Sequence, residues 1–185
     1  MQTEIVIAGF GGQGVLFAGQ VLAYAAMDSG KHVTWFPSYG PEMRGGTANC
    51  TVIVADDDIG SPAVRNPKAV VCLNLPSLDK YEPLVVKGGV LVLNTSLINR
   101  AVKRTDVKVV EASANEIAEE LGDKRLVNAV MLGALVEATG VLPMEAVKKA
   151  LQDHLPAKHQ KLLPANFSAL EKGADAAKKL SAQPA

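Results

Sequence analysis

Apolar residues fall first in short unbroken runs and later at helical spacing, and the change of period lays out the elements. Glu4-Ile5-Val6-Ile7-Ala8 is apolar after its first residue, the pattern of a strand covered by helices on both faces of a parallel sheet. It stops at Gly9. From Gln13 onward, Val15, Ala18, Val21, Leu22, Ala25 and Ala26 recur at helical spacing, and Gly30 stands where a left-handed residue ends a helix. Lys31 to Phe36 reads as a second strand closed by Pro37. Ser38-Tyr39-Gly40-Pro41-Glu42-Met43-Arg44-Gly45-Gly46 holds turn formers and charges without periodicity, which predicts an exposed, shaped loop.

Thr47 to Ala55 is β-branched and runs into Asp56-Asp57-Asp58-Ile59-Gly60, a strand and a solvated turn. Further strands are expected at Ala69 to Leu73, Val90 to Leu93 and Val107 to Val110. Short helices are expected at Pro76 to Tyr81 and at Asn115 to Leu121, the second starting near Ser113, with a tight turn at Lys87-Gly88-Gly89. After residue 122 helices dominate. Arg125 to Thr139 is apolar on nearly every side, Pro143 opens a helix with Glu145 in its first turn, and Asn166 caps a last helix from Phe167 to Leu180. The chain thus reads as an α/β protein: a mostly parallel sheet with flanking helices and a helical C-terminal third, one domain over 1–180 and a frayed tail at 181–185.

Composition narrows the function classes. With 19 basic and 19 acidic residues among 185, the formal charge is zero, and no global field draws the chain to nucleic acid or an anionic membrane. Cys50 and Cys72 each lie in an apolar run and read as small buried hydrophobes, too few for metal or cluster ligation. The start shows no secretory pattern and the longest apolar stretch, Val127 to Val136, is too short for a membrane span, so a cytoplasmic protein is expected.

Gly9-Phe10-Gly11-Gly12-Gln13-Gly14 fits the G-x-G-x-x-G pattern between a predicted strand and helix. Gly9 and Gly11 permit a tight turn and close backbone approach, Gly14 lets the helix pack near the strand, and unpaired N–H groups at the helix start face a phosphate. A nicotinamide or flavin site also needs an acidic residue at the end of the second strand to bind a ribose hydroxyl. That strand ends Thr34-Trp35-Phe36-Pro37-Ser38, and Asp28 lies on the wrong element. The alternative is a glycine turn that only brings a helix onto a sheet. In the second loop, Arg44-Gly45-Gly46 follows Glu42 closely; it forms either an anion site that meets the first turn, or an exposed Glu42–Arg44 pair on a plain turn.

Together the two motifs, followed by Thr47-Ala48-Asn49-Cys50, closely resemble the gamma subunit of 2-oxoacid:ferredoxin oxidoreductases, over the first strand to about Leu180. The wording is nearest to the 2-oxoglutarate and branched 2-oxoacid members. The resemblance implies a Rossmann-like domain in a complex with alpha, beta and ferredoxin-like delta subunits. There, thiamine diphosphate attacks the 2-oxo carbon, carbon dioxide leaves, electrons pass through iron–sulfur clusters to ferredoxin, and coenzyme A receives the acyl group. Thiamine diphosphate, magnesium and the clusters belong to partner subunits, so the chain alone is expected to be inactive and to carry no catalytic or metal-ligating residue. By the same resemblance, the backbone of Gly11, Gly12, Gln13 and Gly14 holds the coenzyme A phosphates, Arg44 is their charge partner, and Gly9 belongs to the same cofactor-binding set. Ser38, Tyr39 and Glu42 shape the pocket or a subunit contact, and Gly45 and Gly46 complete the expected cofactor-binding residues.

Other polar residues read as structural. His154 and His159 would not share a face of a continuous helix, and Pro156 breaks that helix between them. His32 reads as solvated. Asn128 reads as a satisfied core amide, with burial against a partner as the alternative. The rival functions are a dinucleotide-dependent dehydrogenase and a non-catalytic module sensing a nucleotide or acyl-coenzyme A.

Overall fold

The computed structural model describes residues 1–39 and 46–181. One sheet contains β1 (Gln2–Phe10), β2 (His32–Tyr39), β3 (Thr47–Ala55), β4 (Ala69–Cys72), β5 (Val90–Asn94) and β6 (Lys108–Ala112) in the order β2-β3-β1-β4-β5-β6. The β1–β4, β4–β5 and β5–β6 pairs are parallel, whereas β3 is antiparallel to both β1 and β2. Among the described residues the helices are α1 (Val15–Asp28), α2 (Leu75–Tyr81), α3 (Ala114–Glu120), α4 (Val127–Thr139), α5 (Met144–His154) and α6 (Leu163–Ser181). None of them is long and apolar enough to cross a membrane.

The unbroken apolar run of β1 has its expected cause. Ile5 and Ile7 enter a large core with α1, α3, α4, α5 and α6, while Val6 and Ala8 enter a smaller one with Leu78 and Tyr81 of α2. Period-two alternation thus feeds two cores from one strand. In the larger core α4 is buried without a break from Val127 to Val136, so its all-round apolar character belongs to this chain's own interior.

The tightest helix contact is α4 on α6. A Cβ built on Gly133 would stand 2.7 and 2.8 Å from the carbonyl carbon and Cα of Leu170, and one on Gly173 would stand 2.8 Å from the carbonyl carbon of Val130. Backbone meets backbone there, and only the absence of a side chain allows it.

Two predicted boundaries are corrected. β2 does not close at Pro37 but runs to Tyr39, with Pro37 opposite Cys50; β2 is an edge strand, where a residue without an N–H is tolerated. The last helix begins at Leu163 rather than Phe167, with Pro164 in its first turn, where the missing N–H has no intrahelical partner to lose. Asn166 is therefore inside the helix, and its Nδ2 donates back to the Leu162 carbonyl at 2.9 Å instead of capping.

The smaller core is closed by charge. Glu82, with a side chain 5% exposed, accepts from the Arg100 guanidinium at 2.8 Å and from the backbone N–H groups of Lys103 (2.5 Å) and Arg104 (3.1 Å). Burial pushes this carboxyl up, but Arg100 and the two N–H groups outweigh it and hold it below the usual range. One side chain so ties the segment after β5 to the end of α2.

Candidate functional site

The carboxyl ends of β1, β4, β5 and β6 point the same way, and the glycine turn sits at that edge, where open α/β sheets bind ligands. Each glycine has a distinct physical role. At Gly9 a Cβ would crowd Gln13 Oε1 at 2.6 Å and both Leu73 and Val15 at 3.0 Å, so this residue, not Gly14, permits helix and strand to meet. Gly14 is left-handed at φ 75°, and a Cβ there would stand 2.8 Å from Asn128 Cγ. Its absence admits α4 to the turn. Gly12 has φ 97° and nothing within 4 Å of a Cβ position, the open point of the bend.

The turn's N–H groups divide into two sets. Gly11 donates to the Gly46 carbonyl at 2.8 Å and Gln13 to the Phe10 carbonyl at 3.2 Å. No hydrogen bond among the described residues takes the N–H of Gly12 or Gly14. The first bond of α1 runs from Ala18 to Gly14, which leaves the N–H groups of Val15, Leu16 and Phe17 without intrahelical acceptors. The turn therefore offers donors to an anion at Gly12, Gly14 and the first turn of α1, and uses Gly11 and Gln13 to brace itself.

Amide side chains fix the bend. Gln13 Oε1 accepts from the Phe10 N–H at 2.6 Å and from Asn74 Nδ2 at 3.2 Å. Asn94, fully buried at the end of β5, donates to the Leu73 carbonyl at 3.2 Å and to Asn115 Oδ1 at 2.9 Å, and accepts from the Ala114 N–H at 3.2 Å. Buried amides persist only when satisfied, so these side chains lock the strand ends into one arrangement. Their sequence signal is an asparagine directly after an apolar strand run, at Leu73-Asn74 and Leu93-Asn94.

Beside the turn lies a cavity of about 350 Å³. Gly12, Gln13 and Gly14 form one wall, and Asn115, Lys124, Arg125 and Asn128 contribute the others. Asn128, read from sequence as a satisfied core amide, is satisfied: its Nδ2 reaches the Gly14 carbonyl at 3.4 Å and its Oδ1 accepts the Ala129 N–H at 2.9 Å. It also faces the cavity. A lone polar residue in an apolar helix was its signal, whereas Lys124 and Arg125 had none.

Of the second loop, Gly46 reaches the glycine turn through the bond from Gly11. The expected approach of loop to turn is met at that flank, though by another route: β3, not β2, is the neighbour of β1. Ser38 is exposed on β2 opposite Asn49, and Tyr39 ends the strand opposite Ala48. Glu42, Arg44 and Gly45 lie outside the described residues. Cys50 is buried behind α1, and burial pushes its thiol up to about 12. The two histidines come together after the break at Pro156, lining a groove with Tyr24, on which His154 stacks at 4.1 Å.

The chain is 40% identical to ketoisovalerate oxidoreductase subunit VorA of Methanothermobacter marburgensis over 96% of its own length, but spans only 37% of that relative. It is 36% identical to 2-oxoglutarate synthase subunit KorC of Methanocaldococcus jannaschii, covering 97% of this chain and 96% of that one. Among solved structures, the gamma subunit of keto/oxoacid ferredoxin oxidoreductase from Geobacter sulfurreducens superposes with a TM-score of 0.82 at 31% identity, over 96% of this chain and 99% of that one. Residues 4–176 match the family model, and the chain belongs to the pyruvate ferredoxin/flavodoxin oxidoreductase family.

Proposed function

We propose that the chain is the gamma subunit of a 2-oxoacid:ferredoxin oxidoreductase, in which it binds the phosphates of coenzyme A at the glycine turn and helps close the active site. The end-to-end match to a KorC subunit favours 2-oxoglutarate as the oxoacid. Decarboxylation and electron transfer then fall to the alpha, beta and ferredoxin-like delta partners, with thiamine diphosphate, magnesium and iron–sulfur clusters. Among the described residues no group of three or more His, Cys, Asp or Glu could hold a metal.

The observation that carries the coenzyme reading over a dinucleotide is the neighbour of β1. A nicotinamide fold places there a parallel strand ending in a carboxylate that holds the ribose. Here the place is taken by antiparallel β3, which starts at Thr47 opposite Phe10, with Ala48 opposite Gly9. The turn keeps its phosphate donors, but that strand brings no ribose carboxylate beside them.

Calorimetric titration of coenzyme A into the assembled complex tests the reading. Gly12→Asp adds a carboxylate where a Cβ meets no atom, but at a φ of 97° any side chain strains the bend, so Gly12→Asn serves as the control. The aspartate should weaken binding about tenfold more than the asparagine through like-charge repulsion. Arg44→Ala should also weaken it. Unchanged affinity in Gly12→Asp removes the turn from the site, and unchanged affinity in Arg44→Ala removes that side chain. Tight NADH binding by a chain that recruits no thiamine-binding partner would favour the dehydrogenase instead.

A further inference from the structure

The cavity beside the glycine turn carries two cations that the sequence motifs do not include. Lys124 and Arg125 lie on the 3-10 turn Lys124–Leu126 that leads into α4. Asn128, packed on Gly14, sets where that turn stands, so both side chains line the same cavity as Gly12 and Gly14. Both are paired with carboxylates that do not line it. Arg125 donates from Nε at 2.9 Å to Oδ1 and from Nη2 at 2.7 Å to Oδ2 of Asp123, and Lys124 Nζ stands 3.0 Å from Glu119 Oε1. The cations are 76% and 83% exposed, so these pairs are held against water and salt only weakly.

We propose that Lys124 and Arg125 are charge partners of the ligand's phosphate groups, and that Asp123 and Glu119 hold them in ion pairs which the ligand exchanges for its own. The inference rests on the phosphate-ligand reading of the turn. With the pairs closed, Asp123 and Glu119, from outside the cavity, balance the two positive charges on its wall. A phosphate at Gly12 and Gly14 presents several acceptor oxygens to a guanidinium and an ammonium, and it displaces single exposed carboxylates from them. Asp123 and Glu119 then act as competitors that lower affinity and keep the site reversible. Asp123 has a second task, since its Oδ1 accepts the Arg125 N–H at 2.9 Å and so caps the 3-10 turn. Asparagine can keep that cap while losing the charge.

Coenzyme A and pantetheine, which lacks the phosphates, are titrated into the assembled complex carrying Asp123→Asn, Glu119→Gln, or Lys124→Ala with Arg125→Ala, at low and high salt. Each neutralised carboxylate should tighten coenzyme A about two- to fivefold at low salt, and less at high salt. The double alanine variant should weaken it about tenfold and flatten the dependence of affinity on salt, with pantetheine binding unchanged throughout. Coenzyme A affinity that ignores all three variants while Gly12→Asp still weakens it overturns the assignment of these cations alone. If Gly12→Asp is silent as well, the phosphate site at the turn falls with it.

Discussion

Replacing Gly133 by alanine sets two effects of known size against each other. In a helix interior, alanine is favoured over glycine by about 1 kcal/mol, so α4 by itself would gain from the change. The tertiary structure opposes this, because the new Cβ would stand 2.7 Å from the carbonyl carbon of Leu170 and 2.8 Å from its Cα. Ordinary contact begins near 3.4 Å, and the Leu170 carbonyl oxygen lies closer still than its carbon, so α6 must retreat by about 1 Å or more along a crossing made of backbone rather than adjustable side chains. Overpacking of this kind costs about 1–3 kcal/mol, and a backbone neighbour puts it at the upper end. The net expectation is a loss of about 2 kcal/mol, which for a domain of this size lowers the melting midpoint by about 4–8 °C. Urea unfolding followed by circular dichroism measures the loss. Gly173→Ala meets Val130 at the same crossing, so the double variant should lose less than the sum of the singles, since the first separation makes room for the second methyl. A rise in midpoint for Gly133→Ala would show that helix propensity prevails and that the two helices are not in backbone contact.

Two further outcomes follow from buried groups. The Glu82 carboxyl is held below its ordinary value of 4.5, so its contribution is complete above that pH and is lost as pH falls through the folded value. Glu82→Gln should cost about 3 kcal/mol at neutral pH and flatten the acid dependence of urea midpoints as pH falls below 4.5; a variant as acid-sensitive as wild type would refute the clamp. Burial raises both thiols, Cys50 to about 12 and Cys72 further, so at pH 8 an aromatic disulfide reagent should modify neither until urea unfolds the chain, and rapid native labelling would contradict their burial.

Much of this architecture is local and was therefore legible. β1, α1 and β3 follow from runs whose hydrophobic period is a property of consecutive residues, and β3 occupies Thr47–Ala55 as expected. The phosphate-type turn is local for the same reason, being six consecutive residues between a strand and a helix. What a single run cannot specify is its neighbour. That β3 stands antiparallel beside β1, that Pro37 is harmless because β2 is an edge, and that Gly133 and Gly173 mark one crossing all depend on pairing between distant segments. The candidate site divides along the same line. Its backbone donors come from the turn, but Asn128 lies 114 residues from Gly14 and the Lys124–Arg125 wall arrives with it, because packing of α4 against the sheet, driven by apolar burial, carries those polar groups to the turn; Asn128 is marked only by its polarity in an apolar helix, and Lys124 and Arg125 by nothing in their own sequence.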